Sequence, residues 1–289
     1  MKIYGNITAL ITPFANNGKV DYEALKRLIM YQLKHNSDGI VLFGSTGEGH
    51  LLSESEKIKI LKIAKKLISN KIPIIVSILS TTTYDCALEI SKREKQGADA
   101  FLIAPPGYIK PSQESLYNHF YNLSKSTKLP IILYNIPSRV GVNIEFETLK
   151  RLSKLKNIIG IKDADTNFER ILHKFTLQNK NFAFFAGNDN FILPMLALGA
   201  KGAISVIGNI YPETIHDIFE VFEYDPSLAK NLYLRIEKII SAMGQEVNPL
   251  PIKYLMSKIF KTENVLRNPL SPLSDVKGQK LDKVLNKQK

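Results

Sequence analysis

Two residues whose chemistry suits reactions of carbonyl compounds stand at the ends of short apolar runs. Lys162 ends the run at 158–162, and Tyr134 ends the run at 131–134. A lysine held partly out of water loses its proton more readily, and the free amine can attack a carbonyl carbon to form a Schiff base. A tyrosine hydroxyl can carry protons to and from the intermediates. Either residue alone could equally end a strand in solvent, whereas the pair favours a Schiff-base site.

Two further segments could bind carboxylates. Ser45 and Thr46 are flanked by glycines, so their hydroxyl and backbone N–H groups can approach an anion closely. The spacing is neither that of a P-loop nor that of a dinucleotide-binding turn. Arg139 offers a planar guanidinium suited to a second carboxylate, although a loop arginine is often only a solvated charge. Gly187, with the asparagine and aspartate that follow it, could form a similar anion loop or a simple turn.

The sequence predicts no metal site and no separate cofactor. Its histidines form no HExxH pattern and have no cysteine partners at zinc-site spacing. They are His35, His50, His119, His173 and His216. A covalent Schiff base on Lys162 would itself activate a substrate, so no further prosthetic group is expected.

The elements that must position these residues alternate in type along the chain. Eight short apolar, β-branched runs, which begin 20 to 35 residues apart, are separated by amphipathic segments of helical period. The runs are Ile7–Thr12, Gly39–Phe43, Pro73–Ser77, Ala100–Ile103, Ile131–Tyr134, Ile158–Lys162, Phe182–Ala186 and Gly202–Val206. This alternation predicts an α/β fold, a closed (β/α)8 TIM barrel, rather than an open doubly wound sheet. Catalytic groups of such barrels lie at the carboxyl ends of the strands.

After the eighth run the pattern is helical only. The predicted helices are Glu213–Glu223, Leu228–Ala242, Ile252–Phe260 and Asp275–Leu285. We therefore divide the chain into a catalytic barrel at 1–210 and a C-terminal helical region at 211–289.

Composition restricts the class and the compartment. The 289 residues carry 39 Lys and Arg against 27 Asp and Glu, a net charge of +12, but no run of five basic residues occurs. Without a nucleic-acid-binding motif, this excess favours a solvated surface and no nucleic-acid partner. The single Cys86 permits no internal disulfide. The first residues make a poor signal peptide and no apolar run is long enough to span a bilayer, so we expect a cytoplasmic protein without membrane contact.

Several motifs together resemble the dihydrodipicolinate synthase / N-acetylneuraminate lyase superfamily, in order over essentially the whole chain. They are ITALITPF at the start, GSTGE at 44–48, PPGYIKPSQESLYNHF around Tyr108, YNIPSRVG at 134–141, GIKDAD at 160–165, GNDN at 187–190, GAISV at 202–206 and VNPLPIK at 247–253. The resemblance implies a (β/α)8 barrel with a C-terminal helical domain, in a homotetramer built as a dimer of dimers.

The resemblance also implies roles for individual residues. Lys162 would form the Schiff base with pyruvate. Tyr134, Thr46 and Tyr108 would form a proton relay, in which Tyr108 reaches into the site of a neighbouring subunit. Ser45 would join Thr46 in holding the pyruvate carboxylate.

The pyruvate pocket would be lined by Gly187 and Ile204. In the synthases of this superfamily an arginine at the position of Arg139 binds the carboxylate of L-aspartate 4-semialdehyde, and neuraminate lyases typically lack it. The resemblance therefore implies condensation of pyruvate with that aldehyde to 4-hydroxy-tetrahydrodipicolinate, the branch-point step of diaminopimelate and lysine synthesis. The alternative is a class I aldolase that cleaves N-acetylneuraminate or a 2-keto-3-deoxy sugar acid to pyruvate.

Lysine-inhibited members of the superfamily bind their effector at a subunit interface. The matching positions are Gly49, His50, Glu54, Thr81, Asp85 and Gly107. Those members have a tyrosine and an asparagine at the positions of Gly107 and Thr81, and neither side chain is present here. We expect weak or no inhibition by lysine.

Overall fold

Eight parallel strands form the centre of the protein in a computed structural model that describes residues 2 to 286. The strands are β1 (Gly5–Ala9), β2 (Gly39–Leu42), β3 (Ile74–Ile78), β4 (Ala100–Ile103), β5 (Ile131–Asn135), β6 (Ile158–Asp163), β7 (Ala183–Ala186) and β8 (Gly202–Ser205). Each strand pairs in parallel with the next, and β8 pairs with β1 to close the barrel. The predicted (β/α)8 barrel is confirmed.

Helices surround the barrel and continue beyond it. They are α1 (Tyr22–Lys34), α2 (Glu54–Ile68), α3 (Thr83–Lys95), α4 (Gln113–Ser126), α5 (Pro137–Val140), α6 (Phe146–Leu152), α7 (Phe168–Phe175), α8 (Ile192–Ala197), α9 (Pro212–Val221), α10 (Pro226–Met243), α11 (Leu250–Phe260) and α12 (Asp275–Asn286). Short 3-10 turns lie at Gly49–Leu51, Asp189–Phe191 and Ile207–Asn209. The four predicted C-terminal helices correspond to α9 to α12.

The first strand begins and ends earlier than the apolar pattern predicts. The run Ile7–Thr12 was expected to form it, but β1 ends at Ala9. Beyond that point the Thr12 hydroxyl donates a hydrogen bond of 2.6 Å to the carbonyl oxygen of Gly47. The apolar residues after Ala9 belong to a buried loop, which contacts the loop after β2 through this hydrogen bond. Apolar character alone does not distinguish such a buried loop from a strand.

Side chains of alternate strand residues divide the core into two layers. One layer fills the barrel and includes Ile7, Ile132, Tyr134 and Ile204. The other lies between the strands and the helices and contains the large majority of the buried apolar side chains. Because successive residues of a strand face opposite sides, a residue next to Tyr134 in sequence must face the helices.

A buried ion pair fastens the C-terminal helices to the barrel. Glu48, whose carboxylate is fully buried, pairs with the ammonium of Lys253 on α11. The same carboxylate accepts a hydrogen bond of 2.9 Å from the backbone N–H of Arg267. Burial lowers the pKa of Lys253 to about 8, and the charge of Glu48 opposes that shift. Phe14 packs under both cations, with its ring centroid 3.9 Å from Lys253 Nζ and 4.5 Å from Arg267 Cζ.

The boundary predicted at residue 210 falls just before α9, which packs against β1 and α10. The division into 1–210 and 211–289 stays a prediction, and its ends at Met1 and at 287–289 lie outside the described residues. Within residues 2–286, no helix is both long enough and apolar enough to cross a lipid bilayer.

We predict that Glu48→Gln lowers the free energy of unfolding by about 3–5 kcal/mol, because it leaves a buried ammonium without its counter-charge. The double variant Glu48→Gln/Lys253→Met should recover most of that loss. Urea denaturation measures both. Glu23→Gln, which breaks the exposed pair with Lys26, is the control and should change stability by less than about 1 kcal/mol. An equally small change for Glu48→Gln would contradict the assigned role.

Candidate active site

Lys162 and Tyr134 lie side by side inside the carboxyl end of the barrel. They are partners in the parallel register of β5 and β6. Lys162 is only 4% exposed, and its Nζ lies 4.3 Å from the centroid of the Tyr134 ring. The two residues that the sequence selects for carbonyl chemistry are therefore neighbours, and each is held by a buried strand.

A cavity of about 230 Å³ opens above them. Six of the predicted site residues line it, and they are Ser45, Thr46, Tyr134, Arg139, Lys162 and Gly187. The opposite wall comes from the C-terminal region, including Ile240, Met243 and Asn248. A pocket of this size suits a small metabolite, and its wall carries hydroxyl, amide and charged side chains as well as Lys162.

Asn248 connects two of the predicted residues, and sequence reasoning did not identify it. Its side-chain N–H donates to Thr46 Oγ1 at 2.9 Å. Its backbone carbonyl oxygen accepts a hydrogen bond from Arg139 Nη2 at 2.5 Å. Asn248 lies in the motif VNPLPIK at 247–253, which contributed to the family resemblance but gave Asn248 no role of its own. The C-terminal region thereby helps to position both Thr46 and Arg139.

Gly187 and Ile204 occupy different places. Gly187 forms part of the cavity wall, and a Cβ there would lie 2.7 Å from the Asp163 carbonyl oxygen, so no larger residue fits without a shift. Ile204 is fully buried in the barrel interior, in the same cluster as Tyr134, and is not part of the cavity wall. Its contribution is to pack beneath the site.

Asp189 belongs to the segment after β7 that the sequence analysis interpreted either as an anion-binding loop or as a simple turn. Its carboxylate accepts hydrogen bonds from the N–H groups of Ile207 at 2.8 Å and Val206 at 3.1 Å. Burial raises the pKa of Asp189, while those hydrogen bonds and the charge of Lys162 act in the opposite direction. The residue lines the cavity, so the loop after β7 both shapes the wall and adds a buried acid near the lysine.

Tyr108 does not reach the cavity of its own chain. Its side chain is 97% exposed, and its backbone has a φ of +70°, a conformation that non-glycine residues rarely adopt. The neighbouring Ile109 is 62% exposed. These residues project outward from the loop after β4 as an apolar surface. Within residues 2–286, no group of three or more His, Cys, Asp or Glu side chains is arranged to hold a metal ion.

Comparisons with known proteins identify the family. The model of the dihydrodipicolinate synthetase family matches residues 2–288. The chain belongs to this family. A curated relative, the 4-hydroxy-tetrahydrodipicolinate synthase of Alkaliphilus oremlandii, is 38% identical over 282 residues, which cover 97% of each chain.

Solved structures of the family share the same architecture. The 4-hydroxy-tetrahydrodipicolinate synthase of Methylacidiphilum fumariolicum superposes with a TM-score of 0.95 at 37% identity, over 99% of this chain and 96% of the other. The chloride-inhibited dihydrodipicolinate synthase of Acinetobacter baumannii, solved with pyruvate, has a TM-score of 0.96 at 32% identity over 99% of each chain. The barrel and the C-terminal helices thus belong to one conserved architecture.

Among the positions that match the lysine effector site, Glu54 and Asp85 already bind other residues of the chain, and Gly107 has no side chain. The Glu54 carboxylate binds the buried Arg93 through contacts of 3.0 and 2.6 Å, and Asp85 accepts the hydroxyl hydrogen of Thr82 at 2.7 Å. Only Val140 lies within 4 Å of a Cβ built on Gly107. Weak or absent inhibition by lysine stays a prediction.

We predict that Thr46→Val lowers the free energy of unfolding by about 1–3 kcal/mol, because the Asn248 amide loses its acceptor in a partly buried setting. Thr46→Ser keeps the hydroxyl and should lose clearly less. Urea denaturation of both variants measures the difference. Equal losses would indicate that the methyl group, rather than the hydrogen bond, stabilises this contact.

Proposed function

We propose that this cavity condenses pyruvate with L-aspartate 4-semialdehyde to 4-hydroxy-tetrahydrodipicolinate, the branch-point step of diaminopimelate and lysine synthesis. The observation that carries the proposal is the buried amine of Lys162, held beside Tyr134 in a cavity of metabolite size. Membership of the family supports it, as do relatives of nearly equal length that carry the synthase name.

The first half of the reaction would activate pyruvate on Lys162. The neutral amine attacks the ketone carbon, and the resulting carbinolamine loses water to give a Schiff base. Loss of a proton from the methyl group then gives an enamine, whose terminal carbon is a nucleophile. Lys162 is almost fully buried, so the Schiff base would form out of contact with bulk water.

The second half would join the two substrates. The enamine carbon attacks the aldehyde carbon of aspartate semialdehyde, and the aldehyde oxygen takes up a proton. The amino group of that substrate then attacks the Schiff-base carbon, closes the ring and releases Lys162 as the free amine. The balance is one water lost for each pair of substrates, and the lysine is regenerated without any oxidant or reductant. This chemistry requires no separate cofactor.

Proton transfers would be carried by Tyr134 and Thr46, with Tyr108 supplied by a neighbouring subunit. Tyr134 is 4% exposed and its ring lies beside Lys162 Nζ, so its hydroxyl belongs to the same buried volume. Thr46 is linked to the cavity rim through Asn248. The exposed Tyr108 is free to enter another chain.

Substrate carboxylates would be bound at two places. Ser45 and Thr46, on the loop after β2, would hold the pyruvate carboxylate, with Gly187 and the underlying Ile204 shaping the pocket. Arg139, at the rim, would bind the carboxylate of aspartate semialdehyde. Its guanidinium lines the cavity and is held by the Asn248 carbonyl oxygen, which orients it without neutralising its charge.

The alternative function, a class I aldolase for sugar acids or N-acetylneuraminate, would use Lys162 and Tyr134 in the same way. Those residues therefore do not separate the two functions. The synthase is favoured because the similar curated relatives carry that name and because an arginine occupies the rim.

We also propose a homotetramer built as a dimer of dimers. Exposed apolar side chains support it, because burying them against another copy would remove apolar surface from water. They include Tyr84, Leu88, Tyr108, Ile109, Leu172, Leu198 and Leu234. Tyr108 is the residue that would enter a neighbouring site. We place the activity in the cytoplasm and expect neither a membrane nor a nucleic-acid partner.

We predict that borohydride reduction with pyruvate leaves one stable adduct on Lys162. Lys162→Ala should abolish both the adduct and turnover, because no other amine lies in the proposed reaction position. Lys180→Ala, which removes an exposed lysine, should leave both unchanged. Peptide mass spectrometry locates the adduct. A folded wild-type protein that gains no adduct, or gains it elsewhere, would remove the proposed mechanism.

We predict that Arg139→Ala raises the KM for aspartate semialdehyde by about 10- to 100-fold, the effect of losing a charged hydrogen bond to a carboxylate. Pyruvate trapping on Lys162 should stay within about twofold of wild type. Arg151→Ala, which removes an exposed arginine of α6, is the control. If trapping falls as far as the use of the aldehyde, Arg139 shapes the pyruvate site instead.

A further inference from the structure

A buried charge cluster lies on the outer side of the two strands that carry the proposed catalytic pair. Asp163, the last residue of β6, is fully buried, and Lys174 on α7 is 2% exposed. Lys174 Nζ lies 3.1 Å from Asp163 Oδ2 and 3.0 Å from Asn143 Oδ1. An ion pair removed from water to this extent is costly unless its hydrogen bonds are complete.

The hydrogen bonds of the Asp163 carboxylate are complete. Its Oδ2 is bound by Lys174, and its Oδ1 accepts from Asn135 Nδ2 at 2.8 Å and from the N–H of Asp165 at 3.0 Å. Asn135 also donates to Asn143 Oδ1 at 2.8 Å. Both oxygens of the Asp163 carboxylate therefore have donors, and its charge partner at the end of β6 is the ammonium of Lys174.

The cluster is registered with the reactive residues. Asn135 follows Tyr134 and pairs with Asp163, just as Tyr134 pairs with Lys162. Successive strand residues face opposite sides, so the hydrogen-bonded layer stands directly behind the reactive layer. The bond between Asn135 and Asp163 fixes the spacing of the two strand ends.

The charge of Asp163 also bears on Lys162. A carboxylate one residue away favours the ammonium form of a lysine, and the proposed reaction needs the amine. Lys174 places a positive charge 3.1 Å from the Asp163 carboxylate, which opposes its effect on Lys162. The other acids nearby are engaged as well, since Asp165 is bound by Arg170 through two contacts of 2.7 Å, and Glu145 accepts from Asn143 at 3.0 Å.

Asp189 completes the set of charged groups around Lys162. It faces Lys162 from the β7 side, and hydrogen bonds from backbone N–H groups at the end of β8 fix its carboxylate. None of those hydrogen bonds to Asp189 comes from Lys174. Lys174 is therefore the cation whose removal exposes Lys162 to one additional negative charge.

We propose that Lys174 is a positioning residue of the active site: by neutralising Asp163 it keeps Lys162 able to lose its proton near neutral pH and keeps the ends of β5 and β6 in register. The proposal rests on the proposed Schiff-base function. It assigns a role to a lysine whose place near the end of a short helix suggests only a solvated charge.

The test is the pH at which pyruvate trapping on Lys162 is half-maximal, measured at low salt on the full-length protein. Lys174→Met should raise this midpoint by about 0.5 pH unit or more, because Asp163 is left unneutralised. Asp163→Asn should lower it, because Lys174 then adds an unpaired positive charge. The double variant Asp163→Asn/Lys174→Met should return close to wild type. Lys180→Met serves as the exposed-lysine control.

The two single variants should shift the pH midpoint in opposite directions, and the double variant should restore it. A purely structural role would instead lower trapping in all three variants without shifting their midpoints in this order. If Lys174→Met does not fold, Asp163→Asn and the neutral double variant still give the comparison. Coincident midpoints, or a midpoint raised in Asp163→Asn, would overturn the proposal. Absence of any wild-type adduct on Lys162 would instead overturn the proposed function.

Discussion

The ion pair between Glu48 and Lys253 is the constraint on which the site depends. Each charge is almost fully buried, so each is tolerable only where the other is present. Glu48 ends the Ser45–Thr46 segment after β2, and Lys253 lies five residues after Asn248. The ion pair between Glu48 and Lys253 therefore brings Asn248 close to Thr46, and the two side chains form a hydrogen bond of 2.9 Å. The same ion pair holds the C-terminal region against the barrel, where it forms one wall of the cavity.

The barrel supplies the second constraint, the parallel register of β5 and β6. It makes Tyr134 a neighbour of Lys162 on the inside and Asn135 a neighbour of Asp163 on the outside. A slip of one residue would exchange the two layers, bringing an amide and a carboxylate into the cavity and burying the reactive amine among helices. The hydrogen bonds of the outer layer therefore stabilise the register that places the two reactive residues of the inner layer side by side.

Strand ends were predictable because parallel strands are buried on both faces and appear as continuous apolar runs. That signal located Lys162 and Tyr134, glycines and charge type pointed to Ser45, Arg139 and Gly187, and the family resemblance added Tyr108 and Ile204. Sequence patterns did not reveal roles that depend on contacts between distant parts of the chain. Asn248 contacts Thr46 across 202 residues, and its motif does not indicate that contact. In the sequence, Lys174 looks like an ordinary cation in the last turn of a helix, and only the structure shows that it is buried. Ile204 lies in the buried cluster that contains Tyr134, and its place in the pyruvate pocket stays a prediction.

The net charge of +12 gains a structural meaning at the site. Buried or half-buried cations elsewhere in the structure are matched with carboxylates, among them Lys174 with Asp163, Lys253 with Glu48, and Arg267 with Glu56. Within residues 2–286, Lys162 and Arg139 form no such ion pair, and both line the cavity. Pyruvate and aspartate semialdehyde each bring a carboxylate, so attraction is left where the substrates must bind.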